Sequence, residues 1–177
     1  MTLVPTAPNV LLELLVGVGL QRAAEIVYAR RTARGLLANG ARFVRDDGMG
    51  LIVAVHAAWF AACLAEGSLA GVGFGWWTGL GMLLFALGAA LRYGSMAALR
   101  GRWSTRVFVL PDAPLVTTGP YRFLRHPIYL GVSLELAGLP LAFGLWRTAA
   151  VVAVLNALAL RRRIRLEEKA LGLGAPA

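Results

Sequence analysis

The chain has 177 residues, 58% of them hydrophobic, and a mean hydropathy of +0.67, which is too apolar for an ordinary soluble domain, where about half of the residues are apolar. The net charge of +9 does not indicate a nucleic-acid-binding protein, because five cations lie in each of the ranges 29–47, 99–127 and 161–169 and apolar runs separate these ranges. One cysteine, Cys63, excludes an internal disulfide and is expected to serve packing.

Five apolar segments predict five membrane-spanning helices of about 20 residues each. They cover roughly 9–29, 49–66, 72–98, 128–145 and 147–163. The predicted fold is an all-α integral membrane bundle that forms a single domain over 1–177. Its first part, 1–98, contains three spans, and 99–177 contains a loop, a helical hairpin and a C-terminal helix. No basic stretch precedes the first span, so no cleaved signal peptide is expected.

The basic segments predict how the chain is oriented, since cytoplasmic loops carry an excess of Lys and Arg. The loops 30–48 and 99–127 and the C-terminus are expected in the cytoplasm, and the N-terminus, 66–73 and 144–147 outside. The tryptophans Trp76, Trp77 and Trp146 fall at the predicted outer interface. The Ala-, Arg- and Gly-rich composition is typical of a GC-rich bacterial genome, and the membrane is expected to be a bacterial inner membrane. In the third span, Gly79, Gly81 and Gly88 predict close helix packing.

Several polar side chains fall inside the predicted spans. Glu135 lies eight residues beyond Pro127, about 12 Å along a helix, and a carboxylate at that depth requires a partner or a cavity. Arg22 and Glu25 are three residues apart and are expected to neutralise each other. His56, near the cytoplasmic end of the second span, suits either a hydrogen-bonded core residue or a substrate contact.

The stretch "LVTTGPYRFLRHPIYLG", 115–131, concentrates polar groups at the start of the fourth span. Pro127 suits the first turn of a helix, which leaves His126 beside helix N–H groups that lack partners. Such a helix end attracts carboxylates and phosphates. Arg122 and Arg125 could contribute to this site, although arginines at this depth also serve as anchors to lipid headgroups.

A second polar stretch, "RRRIRLEEKAL", follows the fifth span. Arg163 and Glu167 are four residues apart and share a helix face, whereas Glu168 is expected to point elsewhere. A plain interfacial helix would show the same mixed charge. Since spans four and five form a hairpin, we expect the start of the fourth and the end of the fifth to lie side by side.

These two stretches, separated by a helical hairpin, resemble the isoprenylcysteine carboxyl methyltransferase family of integral membrane methyltransferases. Phospholipid methyltransferases share a related C-terminal pattern. The resemblance covers about 100–171. The first half, with "ELLVGVGLQRAAEIVYARRTARGLLANGA", and the glutamate in "YLGVSLELAGLPLAFG" resemble a bacterial subgroup found beside type III polyketide synthases and thought to methylate alkylpyrones or alkylresorcinols.

The resemblance implies a cytoplasm-facing pocket for S-adenosylmethionine, which is not of the Rossmann type, because the sequence contains no strand–GxGxxG–helix unit. By similarity, the cofactor contacts are Ala113, Pro114, Leu115, Val116, Tyr121, His126, Pro127, Ile128, Tyr129 and Glu167. Arg163 is similar to a substrate contact. No metal site is predicted.

The expected activity is therefore an S-adenosylmethionine-dependent O-methyltransferase whose acceptor is a lipid, with a functional link to a type III polyketide synthase. An acceptor that is already ionised needs no general base, and Arg163 would hold the anion. A weakly acidic phenol requires a base, and Glu135 and His56 are the candidates. The sequence leaves these cases open.

Other activities remain compatible with the sequence. A prenylcysteine carboxylate or a phospholipid amine could replace the polyketide lipid as acceptor. An NADPH-dependent reductase of the sterol type has a similar C-terminal architecture, and a non-catalytic membrane protein would bind neither cofactor.

Overall fold

A computed structural model of the chain describes residues 7–45, 47–111 and 113–173. The described residues form five α-helices: α1 (Ala7–Ala38), α2 (Met49–Leu69), α3 (Trp76–Ala98), α4 (Pro127–Ala142) and α5 (Trp146–Ala170). Two short strands, β1 (Arg42–Phe43) and β2 (Phe108–Val109), pair in antiparallel fashion, and a 3-10 turn at Gly119–Arg122 precedes α4. The all-α class is confirmed, and α1 and α5 extend beyond the predicted spans because their charged ends continue the helices.

The outer surface of the bundle is strongly apolar. Among the described helices, α2 and α3 are long and apolar enough to cross a membrane, and α4 is apolar but shorter. Large apolar side chains also stand exposed along α1 and α5, including Leu20 and Val154. Soluble monomers rarely expose apolar surface on this scale, so the surface is that of a membrane protein.

The helices alternate in direction, so that their connections fall at two opposite ends. At one end, the Glu66 carboxylate accepts hydrogen bonds from the backbone N–H groups of Arg147 (3.2 Å) and Thr148 (2.7 Å) at the start of α5. The indole rings of Trp77 and Trp146 also meet there, with centroids 5.7 Å apart. The basic segments lie at the opposite end, as predicted, and the membrane face that each end occupies stays a prediction.

Glycines bring α3 and α4 into backbone contact. A methyl group built on Gly88 would lie 2.6 Å from the carbonyl oxygen of Gly131, and one on Gly81 would lie 2.3 Å from the backbone nitrogen of Ala142. The predicted packing role is therefore confirmed for Gly81 and Gly88. It is wrong for Gly79, which faces outward and has open space around it.

Gly88→Ala should destabilise the protein by about 1–3 kcal/mol, the usual cost of inserting a methyl group into a packed interface. The new methyl would press on the backbone of Gly131 and Glu135, and neither can move without separating α3 from α4. Gly79→Ala, in the same helix, is the matched control and should not destabilise the protein, because Ala is the better helix former and the site has open space. Thermal unfolding in detergent would measure both variants, and an equal effect of the two would contradict the packing model.

The core joins α1, α2, α4 and α5. Trp59 is buried at its centre and donates its indole N–H to the Leu136 carbonyl at 2.8 Å. Cys63 is completely buried in the same cluster, in keeping with its predicted packing role.

Candidate functional site

A cavity of about 860 Å³ opens among the helices, at the end of the bundle that carries the basic segments. All five helices and the loop between α3 and α4 contribute to its wall. Its size falls in the range of about 300–1,000 Å³ that small-molecule sites occupy. The cavity therefore marks the candidate site.

Residues from two separate parts of the sequence meet on the cavity wall. Of the ten predicted cofactor contacts, the nine that line it are Ala113, Pro114, Leu115, Val116, Tyr121, His126, Ile128, Tyr129 and Glu167. The tenth, Pro127, is buried at the first position of α4, where it begins the helix. The structure thus brings together the residues that the resemblance assigns to one ligand.

Tyr129 joins the start of α4 to the end of α5. Its hydroxyl donates to the Glu167 carboxylate and accepts a hydrogen bond from Arg163 Nε at 3.1 Å. Arg163 and Glu167 therefore share a face of α5, as their spacing predicted, and the two ends of the hairpin lie side by side. Burial, and then the nearby Glu167 carboxylate, raise the pKa of Tyr121, so its phenol stays neutral and can donate a hydrogen bond.

His126 has a partner that the sequence analysis did not foresee. Its Nε2 lies 3.1 Å from a carboxylate oxygen of Glu168, and its ring stacks on Tyr129 with centroids 5.6 Å apart. As expected, Glu168 points away from the face that Arg163 and Glu167 share, and it is not part of the cavity wall. Successive helix residues differ by about 100° in direction, so Glu167 and Glu168 meet two different residues at the start of α4.

Asp47, which the sequence analysis missed, holds three segments together. Its buried carboxylate accepts the backbone N–H groups of Met49 (3.0 Å) and Val107 (3.2 Å) and lies 2.7 Å from Arg106 Nε and 3.0 Å from Arg163 Nη1. Burial raises the pKa of Asp47, but the hydrogen bond from Met49 and the charge of Arg163 outweigh it and hold the pKa below its usual value. Asp47 is therefore ionised and has a structural role.

Most hydrogen-bond donors of the Arg163 guanidinium are already used by contacts within the protein. Besides Tyr129 and the Asp47 carboxylate, its guanidinium donates to the backbone carbonyls of Asp47 and Thr105, the latter at 3.0 Å. It lines the cavity, yet these contacts give it a positioning role. Its predicted contact with the substrate stays a prediction.

Asp47→Asn should destabilise the protein by about 3 kcal/mol, because removing one partner of a buried ion pair leaves the other charges uncompensated. The folded-state pKa of Asp47 is lowered, so its contribution is present above the usual pKa of an aspartate and is lost as the pH falls through the folded value. The difference in unfolding temperature between wild type and variant should shrink in acid. Glu13→Gln, at an exposed carboxylate, is the control, and a loss of similar size there would contradict the assignment.

Four charged side chains form a cluster at the inner end of the cavity, which we call the four-charge cluster. Glu135, 1% exposed, lies 3.0 Å from Arg92 Nε and also accepts from Arg22. Glu25 accepts from Arg22 at 3.0 Å and from Arg92 at 2.5 Å. The predicted partner for Glu135 is thus confirmed. Arg92 was missed, although a lone arginine inside the apolar third span was a signal for it.

His56 lies next to this cluster. It lines the main cavity and also a smaller one of about 10 Å³, where Arg22 and Glu135 are its neighbours. Its Nδ1 is 2.8 Å from the Ile52 carbonyl. Glu135 lines the smaller cavity, with its oxygens directed at Arg22 and Arg92. The two residues predicted as candidate bases therefore have different access to a ligand.

The fold and the cavity define a helical membrane protein. Its cavity is lined by charged side chains and lies where the start of α4 meets the end of α5. The chain belongs to the isoprenylcysteine carboxyl methyltransferase family, whose model matches residues 80–172. Family membership implies a methyltransferase.

Two curated relatives are similar to the chain over most of its length. "Uncharacterized protein YpbQ" of Bacillus subtilis (strain 168) is 32% identical over 152 residues, which are 85% of this chain and 90% of the relative. An "Uncharacterized protein" of Haemophilus influenzae (strain ATCC 51907 / DSM 11121 / KW20 / Rd) is 26% identical over 142 residues, 80% of this chain and 83% of the relative. No solved structure matches significantly.

Proposed function

We propose that the protein is an S-adenosylmethionine-dependent O-methyltransferase that acts on a membrane-embedded lipid, with an alkylpyrone or alkylresorcinol as the favoured acceptor. One observation carries the proposal. Nine residues that the family resemblance assigns to the cofactor surround a single cavity, although they come from the 113–129 segment and from the end of α5.

The chemistry of this wall fits S-adenosylmethionine, which supplies an electrophilic methyl group on a sulfonium. The Glu167 carboxylate suits the ammonium group or a ribose hydroxyl. Tyr121 and Tyr129 offer aromatic faces for the adenine or for a cation. His126 and Arg125, which both line the cavity, suit the carboxylate of S-adenosylmethionine. The task of these residues is to align the reacting groups and to exclude water.

The apolar part of the cavity lining suits an alkyl chain. Ile26 on α1, Val53 and Phe60 on α2, and Val132 on α4 contribute to it. Ile26 and Val53 are 44% and 55% exposed, so apolar surface of α1 and α2 is open at this part of the cavity. A lipid tail would pass there while its polar head reaches the cavity.

In this proposal, all five helices lie in a bacterial inner membrane and the cavity faces the cytoplasm, with the N-terminus outside and the C-terminus inside. The basic segments at the cavity end support this orientation. A type III polyketide synthase would supply the acceptor, and membrane lipids would surround the bundle.

Calorimetry with the purified protein in detergent tests the donor. S-adenosylmethionine should bind and NADPH should not. Labelled S-adenosylmethionine would then be incubated with four acceptors and analysed by mass spectrometry: a pentadecyl resorcinol, an alkyl hydroxypyrone, an S-farnesyl cysteine and phosphatidylethanolamine. Methylation of either of the first two supports the proposal. Binding of NADPH alone, or methylation confined to the last two, would overturn it.

A further inference from the structure

The orientation of His56 leaves one ring nitrogen available to a ligand. A carbonyl oxygen can only accept a hydrogen bond, so the contact of 2.8 Å between Nδ1 and the Ile52 carbonyl places the proton on Nδ1. Neutral His56 therefore carries its lone pair on Nε2. The His56 side chain lines the main cavity. An acceptor bound in this cavity can therefore reach the imidazole.

Glu135, the other candidate base, is not placed to take a proton from a ligand in the main cavity. Its two oxygens accept from Nε and Nη2 of Arg92 at 3.0–3.2 Å and from Nη2 of Arg22. Both oxygens are engaged by guanidinium groups, and Glu135 lines the smaller cavity and not the main one. Of the two candidate bases, the structure favours His56.

The charged groups nearest His56 offer no net positive charge to an anionic acceptor. The charged groups that face it are Arg22 on α1, Arg92 on α3 and Glu135 on α4, and Glu25 completes the four-charge cluster. The two arginines are matched by the two glutamates, so the cluster is formally neutral. An anion beside this cluster would find no net positive charge in it and would depend on the sulfonium of a bound donor, whereas a neutral hydroxyl needs no counter-charge.

From these contacts we infer that the acceptor is a neutral, weakly acidic hydroxyl and that His56 Nε2 takes its proton. This inference rests on the proposed function and narrows its substrate class to phenols. The acceptor oxygen bonds to the methyl carbon as the carbon–sulfur bond breaks, with the electron pair of that bond remaining on sulfur. The hydroxyl proton moves to Nε2, so the positive charge lost from the sulfonium reappears on the imidazolium and is later released to water as a proton.

The test compares two acceptors in wild type and in His56→Asn. Asn retains a donor for the Ile52 carbonyl and removes the base. With a pentadecyl resorcinol, the variant should lose about 100-fold or more in turnover, the usual contribution of a general base. With an alkyl hydroxypyrone, which is already ionised at neutral pH, wild type should turn over more slowly than with the resorcinol, and the fold-loss in the variant should be far smaller. The residual rate on the resorcinol should rise with pH as the phenol ionises in solution.

A second measurement does not depend on turnover. The chain has two histidines, so nitrogen-15 spectra of histidine-labelled protein are simple, and His56→Asn assigns the His56 signals. The spectrum should show the tautomer protonated at Nδ1. Its Nε2 signal should shift when the pentadecyl resorcinol is added without S-adenosylmethionine.

Each contrary result has a separate meaning. Equal losses on both acceptors, no loss on the resorcinol, or a His56 protonated at Nε2 would overturn the role of His56. Wild-type methylation of the pyrone but not the resorcinol would overturn the phenol assignment and leave the methyltransferase intact. Failure of S-adenosylmethionine to bind wild type would overturn the proposed function itself. His56→Gln, tested alongside, guards against poor folding of the Asn variant.

Discussion

Glu167→Gln should weaken S-adenosylmethionine binding by about 100-fold or more while the protein still folds. Removing one partner of a desolvated, hydrogen-bonded charge pair costs about 2–5 kcal/mol in binding, and Glu167 is the carboxylate that the proposal assigns to the ammonium group or to a ribose hydroxyl. The side chain lies near the end of α5, partly exposed, so stability should change little. Calorimetry would measure the affinity and thermal unfolding the stability.

The adjacent residue provides a matched control. Glu168→Gln removes the same charge one position away, but Glu168 contacts His126, and a glutamine amide can still hydrogen-bond to that ring. We expect its affinity to fall by less than tenfold. If both variants lose affinity equally, the effect comes from net charge at the cavity mouth and not from a specific contact. Unchanged affinity in Glu167→Gln would remove Glu167 from the site.

Most of the cofactor contacts were predicted from the family resemblance, and the parts of the site that the residues themselves predicted depend on local periodicity. Arg163 and Glu167 share a face because they are four residues apart on one helix. A short turn between α4 and α5 brings the start of one helix to the end of the other, so the contact of Tyr129 with Glu167 follows from the hairpin. Pro127 begins α4, as prolines at the first helical position do.

The parts that the sequence did not predict depend on packing between distant segments. Asp47 looks like an ordinary loop aspartate until β1 pairs with β2 and brings residues 105–107 to it. The partners of Glu135 come from α1 and α3, and no spacing rule connects those helices. The number of helices that cross the bilayer is equally hard to read from composition, because α1 and α5 combine apolar faces with several charges.

Arg92→Leu should cost about 3–5 kcal/mol in unfolding free energy, the largest stability loss we expect from a single substitution. The change would leave Arg22 to balance both Glu25 and Glu135 in a region shielded from water, and breaking a buried charge network by removing one member is strongly destabilising. Thermal unfolding in detergent, with size-exclusion chromatography to confirm folding, would measure the loss.

The double variant Arg92→Leu, Glu135→Leu separates charge imbalance from lost packing. It leaves Arg22 and Glu25 as a neutral pair with their contact of 3.0 Å, and replacing a buried ion pair with apolar residues is often neutral or stabilising. We therefore expect the double variant to recover most of the stability lost in Arg92→Leu, which gives a large favourable coupling in a double-mutant cycle. Additive losses would mean that the two residues act independently and that charge compensation is not what holds the four-charge cluster. S-adenosylmethionine should still bind the double variant, because its proposed contacts lie nearer the mouth of the cavity, on the 113–129 segment and the end of α5.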